Sequence, residues 1–321
     1  MAISQRLHGI RLGLAAVMAL VCGLAASSAM AKCGTPTLTV IGSTTLTAYN
    51  PFVTGLPTSV TYKATVTPGN SCTLYFVLWV PAGSTSSMSL ASPPSTLTYT
   101  VTANGSPLAV STYNTLPSSG QYLSLGTITT SVSVTVVYTV PKGQVVAAGT
   151  YSETVYPKFL TSLIQVRGTT TIAETLSDTV SSVCTLAPPT TAAIDFSTKV
   201  STGIANPATV PNDTIGAQCT APSGITLSGN SLQRTPVGTA PVGFNNYINW
   251  TATATIGSAT ATLTTTGLTA TPTVTSTNKN TTTVGAFSGP ITISNLHLLA
   301  GNMLLPGAYN SSLTIQIDPS L

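Results

Sequence analysis

Gly143-Gln-Val-Val-Ala-Ala-Gly149-Thr-Tyr151-Ser-Glu-Thr-Val155 returns 158 residues later as Gly301-Asn-Met-Leu-Leu-Pro-Gly307-Ala-Tyr309-Asn-Ser-Ser-Leu313. Both copies read Gly, five residues, Gly, one residue, Tyr, three residues, aliphatic. One recurrence at so long a spacing implies two domain-sized copies and not a solenoid of short repeats. Within each copy the second glycine permits a backbone turn that a side chain obstructs, and a strand begins at the tyrosine. In the second copy Tyr309, Ser311, Leu313, Ile315 and Ile317 fall on one face and Asn310, Ser312, Thr314 and Gln316 on the other, the period-two pattern of a half-buried strand. The first copy is rougher: Glu153 falls on the inner face and Pro157 interrupts the ladder.

Outward from this phrase, the chain reads as all-β. Thr, Ser, Val, Gly and Pro dominate, and alternating runs are separated by turn residues. Strands are expected within Thr35–Tyr49, over Val60–Val66, Thr73–Val80 and Leu97–Thr102, and along Ile128–Val140. The continuous apolar run Thr-Leu-Tyr-Phe-Val-Leu-Trp-Val at 73–80 predicts a strand buried on both faces, with Trp79 in the core. Ala103-Asn104-Gly105 reads as a hairpin turn, Gly83–Pro94 and Leu116–Gly120 as loops, and the Thr/Ala tract from Thr251 to Thr277 as short exposed strands with loops. No convincing amphipathic helix appears, and strands at this spacing argue a β-sandwich.

The first residues carry Arg6 and Arg11, an apolar run from Leu12 to Ala26, and Ala29-Met30-Ala31. This is the pattern of a secretory signal peptide over 1–31, too short to anchor a membrane. Lys32 before Cys33 argues against lipidation. Without the two signal arginines the chain has eight basic and six acidic residues, a net charge of +2. The basic residues form no cluster, so nucleic acid is not an expected partner. Four cysteines remain: Cys33, Cys72, Cys184 and Cys219. The repeat favours Cys33–Cys72 and Cys184–Cys219, since each pair then lies early in its own copy. An exported chain meets an oxidising space, and closing a loop of this size contributes about 4 kcal/mol.

Neither a metal site nor an active site is expected. There is no C-x-x-C, and His297 is the sole histidine after the signal peptide, in an apolar setting that suits a strand. Glu153, Glu174, Asp178, Asp195, Asp213 and Asp318 form no catalytic pattern, and no cofactor is implied.

The same residues resemble the spore coat protein U domain, the pilin domain of archaic chaperone–usher pili. The resemblance rests on Cys33, the turn Tyr49-Asn50-Pro51, Cys72, and Pro141-Lys-Gly-Gln with Ala148-Gly149-Thr-Tyr151-Ser-Glu-Thr-Val155; Glu153 stands where that family usually has Asp. The second half keeps Cys184, Phe196, Cys219 and Gly307-Ala-Tyr309 but lacks the Tyr-Asn-Pro turn and the Pro-x-Gly-Gln start. The resemblance implies two immunoglobulin-like (pilin-type) β-sandwiches in tandem: residues 32–168, a linker at 169–182, and 183–321. It implies that the second is incomplete, completed by a donor strand along Tyr309, Leu313, Ile315 and Ile317. It implies as partners a periplasmic pilus chaperone, an outer-membrane usher and the next pilin subunit.

Only Lys32 separates the expected cleavage site from Cys33, so this subunit is expected to donate no strand and to occupy a pilus tip. The first sandwich then has to be self-complete, with Leu163-Ile-Gln-Val166 and Thr171-Ile172 as its supplementary strand. Two-domain tip subunits of the family are adhesins. The expected contacts with an abiotic or host surface are the apolar loop residues Pro81, Met88, Leu90, Pro93, Pro94, Leu116, Pro117, Tyr122 and Leu123. The alternative is a minor or adaptor structural pilin, or a coat protein, without its own receptor.

Overall fold

The computed structural model describes residues 33–53, 57–67, 70–191, 193–236, 238–268, 271–277 and 286–319. The expected signal peptide, Cys22 and Lys32 lie outside them. The chain is all-β; the one helical turn among the described residues is Ser197–Lys199. Two separate apolar cores form. One gathers side chains from Leu46 to Val180, the other from Ala205 to Leu304.

In the first half, one sheet runs Thr37–Ile41, Thr58–Thr65, Ser131–Thr139, Thr100–Ala103, Ser106–Pro107. The facing sheet runs Ser95–Thr98, Ser87–Leu90, Gly149–Leu160, Cys72–Val80, Ser111–Thr112, with Tyr122–Ile128 also on Cys72–Val80 and Glu174–Val180 also on Gly149–Leu160. Leu74, Phe76, Leu78 and Val80 point between the sheets, whereas Val77 and Trp79 form a smaller cluster with Leu160 on the outer side. Both faces of this strand are therefore covered, as its unbroken apolar sequence requires. The Asn104-Gly105 turn joins two paired strands with both residues at positive φ, the geometry of a tight hairpin.

The second half has a five-stranded sheet, Cys184–Pro189, Asp213–Cys219, Phe287–Leu298, Trp250–Ile256, Ala259–Thr264. It faces a smaller sheet in which Ser223–Gly229 lies between Thr273–Thr275 and Leu313–Pro319. The first part of the Thr/Ala tract, expected as short exposed strands with loops, forms a regular hairpin of Trp250–Ile256 and Ala259–Thr264 with one face buried. Ala252, Ala254, Ile256, Ala259, Ala261 and Leu263 are buried, while threonine hydroxyls pair across the strands, Thr251 with Thr264 and Thr253 with Thr262, both at 3.0 Å.

Two disulfides join Cys33 to Cys72 and Cys184 to Cys219, 39 and 35 residues apart. Each ties an opening segment to its own sandwich; Cys184 and Cys219 are direct cross-strand partners.

The repeated phrase builds the same corner twice. Tyr151 donates its hydroxyl to the Ala147 carbonyl at 2.7 Å, and Tyr309 donates to Leu305 at 2.8 Å, four residues upstream in each case. This is the tyrosine corner of immunoglobulin-like sandwiches. Gly149 and Gly307 precede it with φ of 145° and 152°, a conformation essentially reserved for glycine. A Cβ at Gly149 sits 3.0 Å from Leu90 Cδ1, and one at Gly307 sits 3.0 Å from Arg234 Nε.

Several expectations are corrected. Residues 169–182, read as a linker, contain the strand Glu174–Val180. Leu163–Val166 and Thr171-Ile172 form no strand. Gly83–Pro94 is not all loop, since Ser87–Leu90 is a strand paired with Ser95–Thr98. Leu97–Thr102 is not one strand: it divides at Tyr99, and its two parts join opposite sheets.

Gly149→Ala and Gly307→Ala are each expected to lower stability by about 1–3 kcal/mol. Denaturant unfolding of the two variants checks this, and midpoints equal to the parent's refute the corner's dependence on glycine.

Candidate functional site

In the first copy, the strand that begins at the tyrosine corner has its edge filled. Glu174–Val180 runs antiparallel to it, with Gly149 opposite Val180, Tyr151 opposite Asp178, Glu153 opposite Leu176 and Val155 opposite Glu174. The other edge of Glu174–Val180 lies parallel to residues 44–49. Leu46 N donates to Ser177 O at 2.7 Å, Tyr49 N to Thr179 O at 2.8 Å, Ser177 N to Thr44 O at 3.1 Å and Ser181 N to Tyr49 O at 3.2 Å. The inserted strand thus bridges the opening and closing strands of the sandwich. Tyr151, Val155, Leu176 and Val180 are all buried as a result.

The insertion buries acids as well. Asp178 lies inward among these side chains, and burial raises its carboxyl from an ordinary 3.8 to about 6, against the opposing effect of the Thr179 and Tyr49 amides. Glu153, also buried, accepts the hydroxyls of Ser84 and Tyr99; its carboxyl is raised by burial.

In the second copy the corresponding edge is open. Ala308–Asn310 pairs with Leu232–Thr235, and Leu313–Pro319 pairs along Ser223–Gly229, from Leu313 opposite Gly229 to Pro319 opposite Ser223. Among the described residues, no strand lies on the other edge of Leu313–Pro319. Its burial alternates, with Leu313, Ile315 and Ile317 half-buried and Thr314, Gln316 and Asp318 exposed. These three aliphatic side chains pack against the core without being enclosed.

Opposite them stands the strand Cys184–Pro189 with the segment that follows it. Leu186, 40% exposed, Pro189, Ile194 and Phe196 form one wall of a groove of about 550 Å³; Tyr309, Leu313 and Ile315 contribute to the other; Trp250, Ile293 and Leu296 lie at its floor. Trp250 is fixed by its indole Nε1, which donates to Asn230 O at 2.9 Å. The one carboxylate in the groove is Asp213, held low by the hydroxyls of Thr190 and Thr191. The groove is therefore apolar, elongated and walled on one side by an unpaired strand edge, which suits an extended peptide with apolar side chains at alternate positions.

Of the sequence-predicted edge residues, Tyr309, Leu313 and Ile315 line this groove; Ile317 continues the same half-buried face of the strand beyond it. The nine predicted surface-contact residues are dispersed. Met88 is fully buried in the strand Ser87–Leu90, and Pro117 is buried. Both are corrections: alternation within a four-residue strand turns Met88 inward, which a loop reading misses. Tyr122 and Leu123 sit half-buried on the strand Tyr122–Ile128, and Pro81, Leu90 and Pro93 are half-buried. Pro94 and Leu116 are exposed. Tyr113, not anticipated, is 44% exposed beside Leu116 and packs on Tyr156 with ring centroids 4.3 Å apart. Trp79 lies buried under Tyr113, with Lys158 Nζ 5.2 Å from its ring centre. His297 is half-buried on Phe287–Leu298, its Nδ1 3.0 Å from Asn295 O. Among the described residues, no group of three His, Cys, Asp or Glu side chains is placed to hold a metal ion.

No protein-family model matches the chain, and no curated protein matches it. Among solved structures it is similar to the CsuC–CsuE chaperone–tip adhesion subunit pre-assembly complex of Acinetobacter baumannii, with 10% identity over 87% of this chain and 100% of that one and a TM-score of 0.38. It is also similar to CfaE, the adhesive subunit of CFA/I fimbria of enterotoxigenic Escherichia coli, at 8% identity, 87% and 93% coverage and a TM-score of 0.30. A third is the CooA pilin subunit of enterotoxigenic Escherichia coli, at 14% identity, covering 46% of this chain and 99% of that chain with a TM-score of 0.28.

The raised Asp178 carboxyl sets a pH dependence with a definite sign. Its folded value lies above its unfolded one, so the fold prefers the protonated form; stability is fullest below about pH 4 and declines as pH rises toward 6. Asp178→Asn is expected to flatten this decline and to raise stability at pH 7.5. Unfolding midpoints from pH 4 to 7.5 check it, and an unchanged slope contradicts it.

Proposed function

We propose that this chain is the end subunit of a surface fibre assembled by strand exchange of the chaperone–usher kind, with the first sandwich as its adhesive head. One observation carries the reading: the same corner and strand occur twice, covered by the chain's own Glu174–Val180 in the first copy and open along Leu313–Pro319 in the second. A head that completes itself needs no strand from a neighbour. A second sandwich with an open edge takes one.

Enclosing the exposed half of Leu313, Ile315 and Ile317 contributes about 2–5 kcal/mol gross, and main-chain hydrogen bonds fix the register. An uncovered edge of this kind also invites aggregation. A periplasmic chaperone therefore covers it during export, an outer-membrane usher exchanges it, and the next pilin supplies the final strand. On the head, Pro94, Tyr113 and Leu116 present apolar surface on loops and are the contacts for an abiotic or host surface.

The test appends to the carboxyl end a flexible linker and an eight-residue strand alternating Val and Thr. The fused chain is expected to gain about 3 kcal/mol of stability in the second sandwich, and Ile315→Asp to abolish the gain. No gain with the parent groove, or an equal gain with Ile315→Asp, rejects the acceptor role. The fused chain is further expected to adhere to polystyrene and to lose half or more of that adhesion with Tyr113→Ser and Leu116→Ser together; undiminished adhesion rejects the assigned head contacts.

A further inference from the structure

The corner made by the repeated phrase differs between the copies in a second way. In the first, residues 144–149 are buried or half-buried. Ala148, 8% exposed, donates its amide to the Thr220 carbonyl of the second sandwich at 2.7 Å, and Thr220 is wholly buried. This corner of the first sandwich is thus where the next sandwich begins. In the second copy, four of the six matching residues face solvent: Asn302, Met303 at 48% exposure, Pro306 and Gly307, while Leu304 is buried and Leu305 half-buried.

Other apolar groups collect beside them. Phe244–Asn245 runs alongside Met303–Leu304, and Leu304 N donates to Gly203 O at 2.7 Å, bringing up Ile204. Among the described residues, the large exposed apolar side chains of the second sandwich are five. Leu186 lies in the groove; the other four are Ile204, Val242, Phe244 and Met303, at 49%, 102%, 37% and 48% exposure. Next to them is a cavity of about 250 Å³ lined by Asn245, Tyr247, Asn249 and Asn302, among others.

We propose that this corner of the second sandwich is a docking face for the body of a neighbouring β-sandwich subunit, separate from the groove that takes a strand. The proposal rests on the strand-acceptor reading, because the strand donor is the subunit that docks. The internal copy indicates the occupant: the matching corner of the first sandwich is covered by a sandwich. The chemistry of the face narrows it further. Pro306 stands where Ala148 stands and has no amide to donate, so the second corner cannot repeat the first one's hydrogen bond and is covered by apolar packing. Arg234 is oriented by this corner, its Nε donating to Pro306 O at 2.7 Å and its Nη1 to Pro236 O at 3.0 Å. The partner surface is therefore mainly apolar, with a polar loop tip that enters the amide-lined cavity.

Thiol labelling tests this. The four described cysteines are paired in disulfides, so an introduced cysteine is the reactive thiol. Met303→Cys reports the corner, Leu186→Cys the groove, and Thr262→Cys the exposed outer face of a distant hairpin. Maleimide labelling is compared between the purified full chain and fibres sheared from producing cells. The expected result is labelling at least tenfold slower in fibres at Met303→Cys and Leu186→Cys, with Thr262→Cys unchanged. Slowing at Leu186→Cys alone overturns the docking face and leaves the groove reading standing. Slowing at neither, or absence of the chain from the fibres, overturns both. Slowing at Met303→Cys alone sinks the groove reading and, with it, the strand donor as the docking subunit. Equal slowing at all three reflects bundling and overturns the docking face.

Discussion

A strand edge in a sandwich has to be paired, covered or made unattractive, because unmet amides and carbonyls above half-buried aliphatics are both unstable and sticky. In this protein that constraint is met in one sandwich and left unmet in the other. Gly149–Val155 is capped by Glu174–Val180, which hydrogen-bonds on both sides and drives Tyr151 and Val155 fully inside. Leu313–Pro319 has pairing on one side only among the described residues, and its inward aliphatics stop at half burial. The glycine and tyrosine that shape the corner are present in both, so the difference lies in the covering strand.

That strand comes at an energetic cost. Asp178 is drawn into the first core with its carboxyl pushed up to about 6, and the inner face also carries Glu153. A segment inserted from elsewhere in the chain keeps such polar positions because strand pairing on two edges holds it in place. The open groove of the second sandwich has one carboxylate, Asp213, already satisfied by two threonine hydroxyls. Its walls are otherwise apolar, which favours an occupant with aliphatic side chains.

Much of this was legible in the residues. The repeated phrase located both corners, alternation located Leu313, Ile315 and Ile317 on one face, and the unbroken run at 73–80 predicted a strand covered on both sides. The covering strand was not legible. Glu174-Thr-Leu-Ser-Asp-Thr-Val180 has polar residues at Glu174 and Asp178 on the face that turns inward, so the period-two signal vanishes where burial is greatest. Short strands misled for a related reason: in Ser87–Leu90 a single methionine carries the burial, and its serine neighbours read as loop. Tyr113 escaped notice because its exposure depends on where a loop folds back over Trp79, which no local pattern encodes.

Amide hydrogen exchange on the purified chain tests the contrast between the two copies most directly. The account predicts strong protection at those amides of Gly149–Val155 that point toward Glu174–Val180, and fast exchange at those amides of Leu313–Pro319 that do not point toward Ser223–Gly229. Equal protection of the two strands in the isolated chain would contradict it.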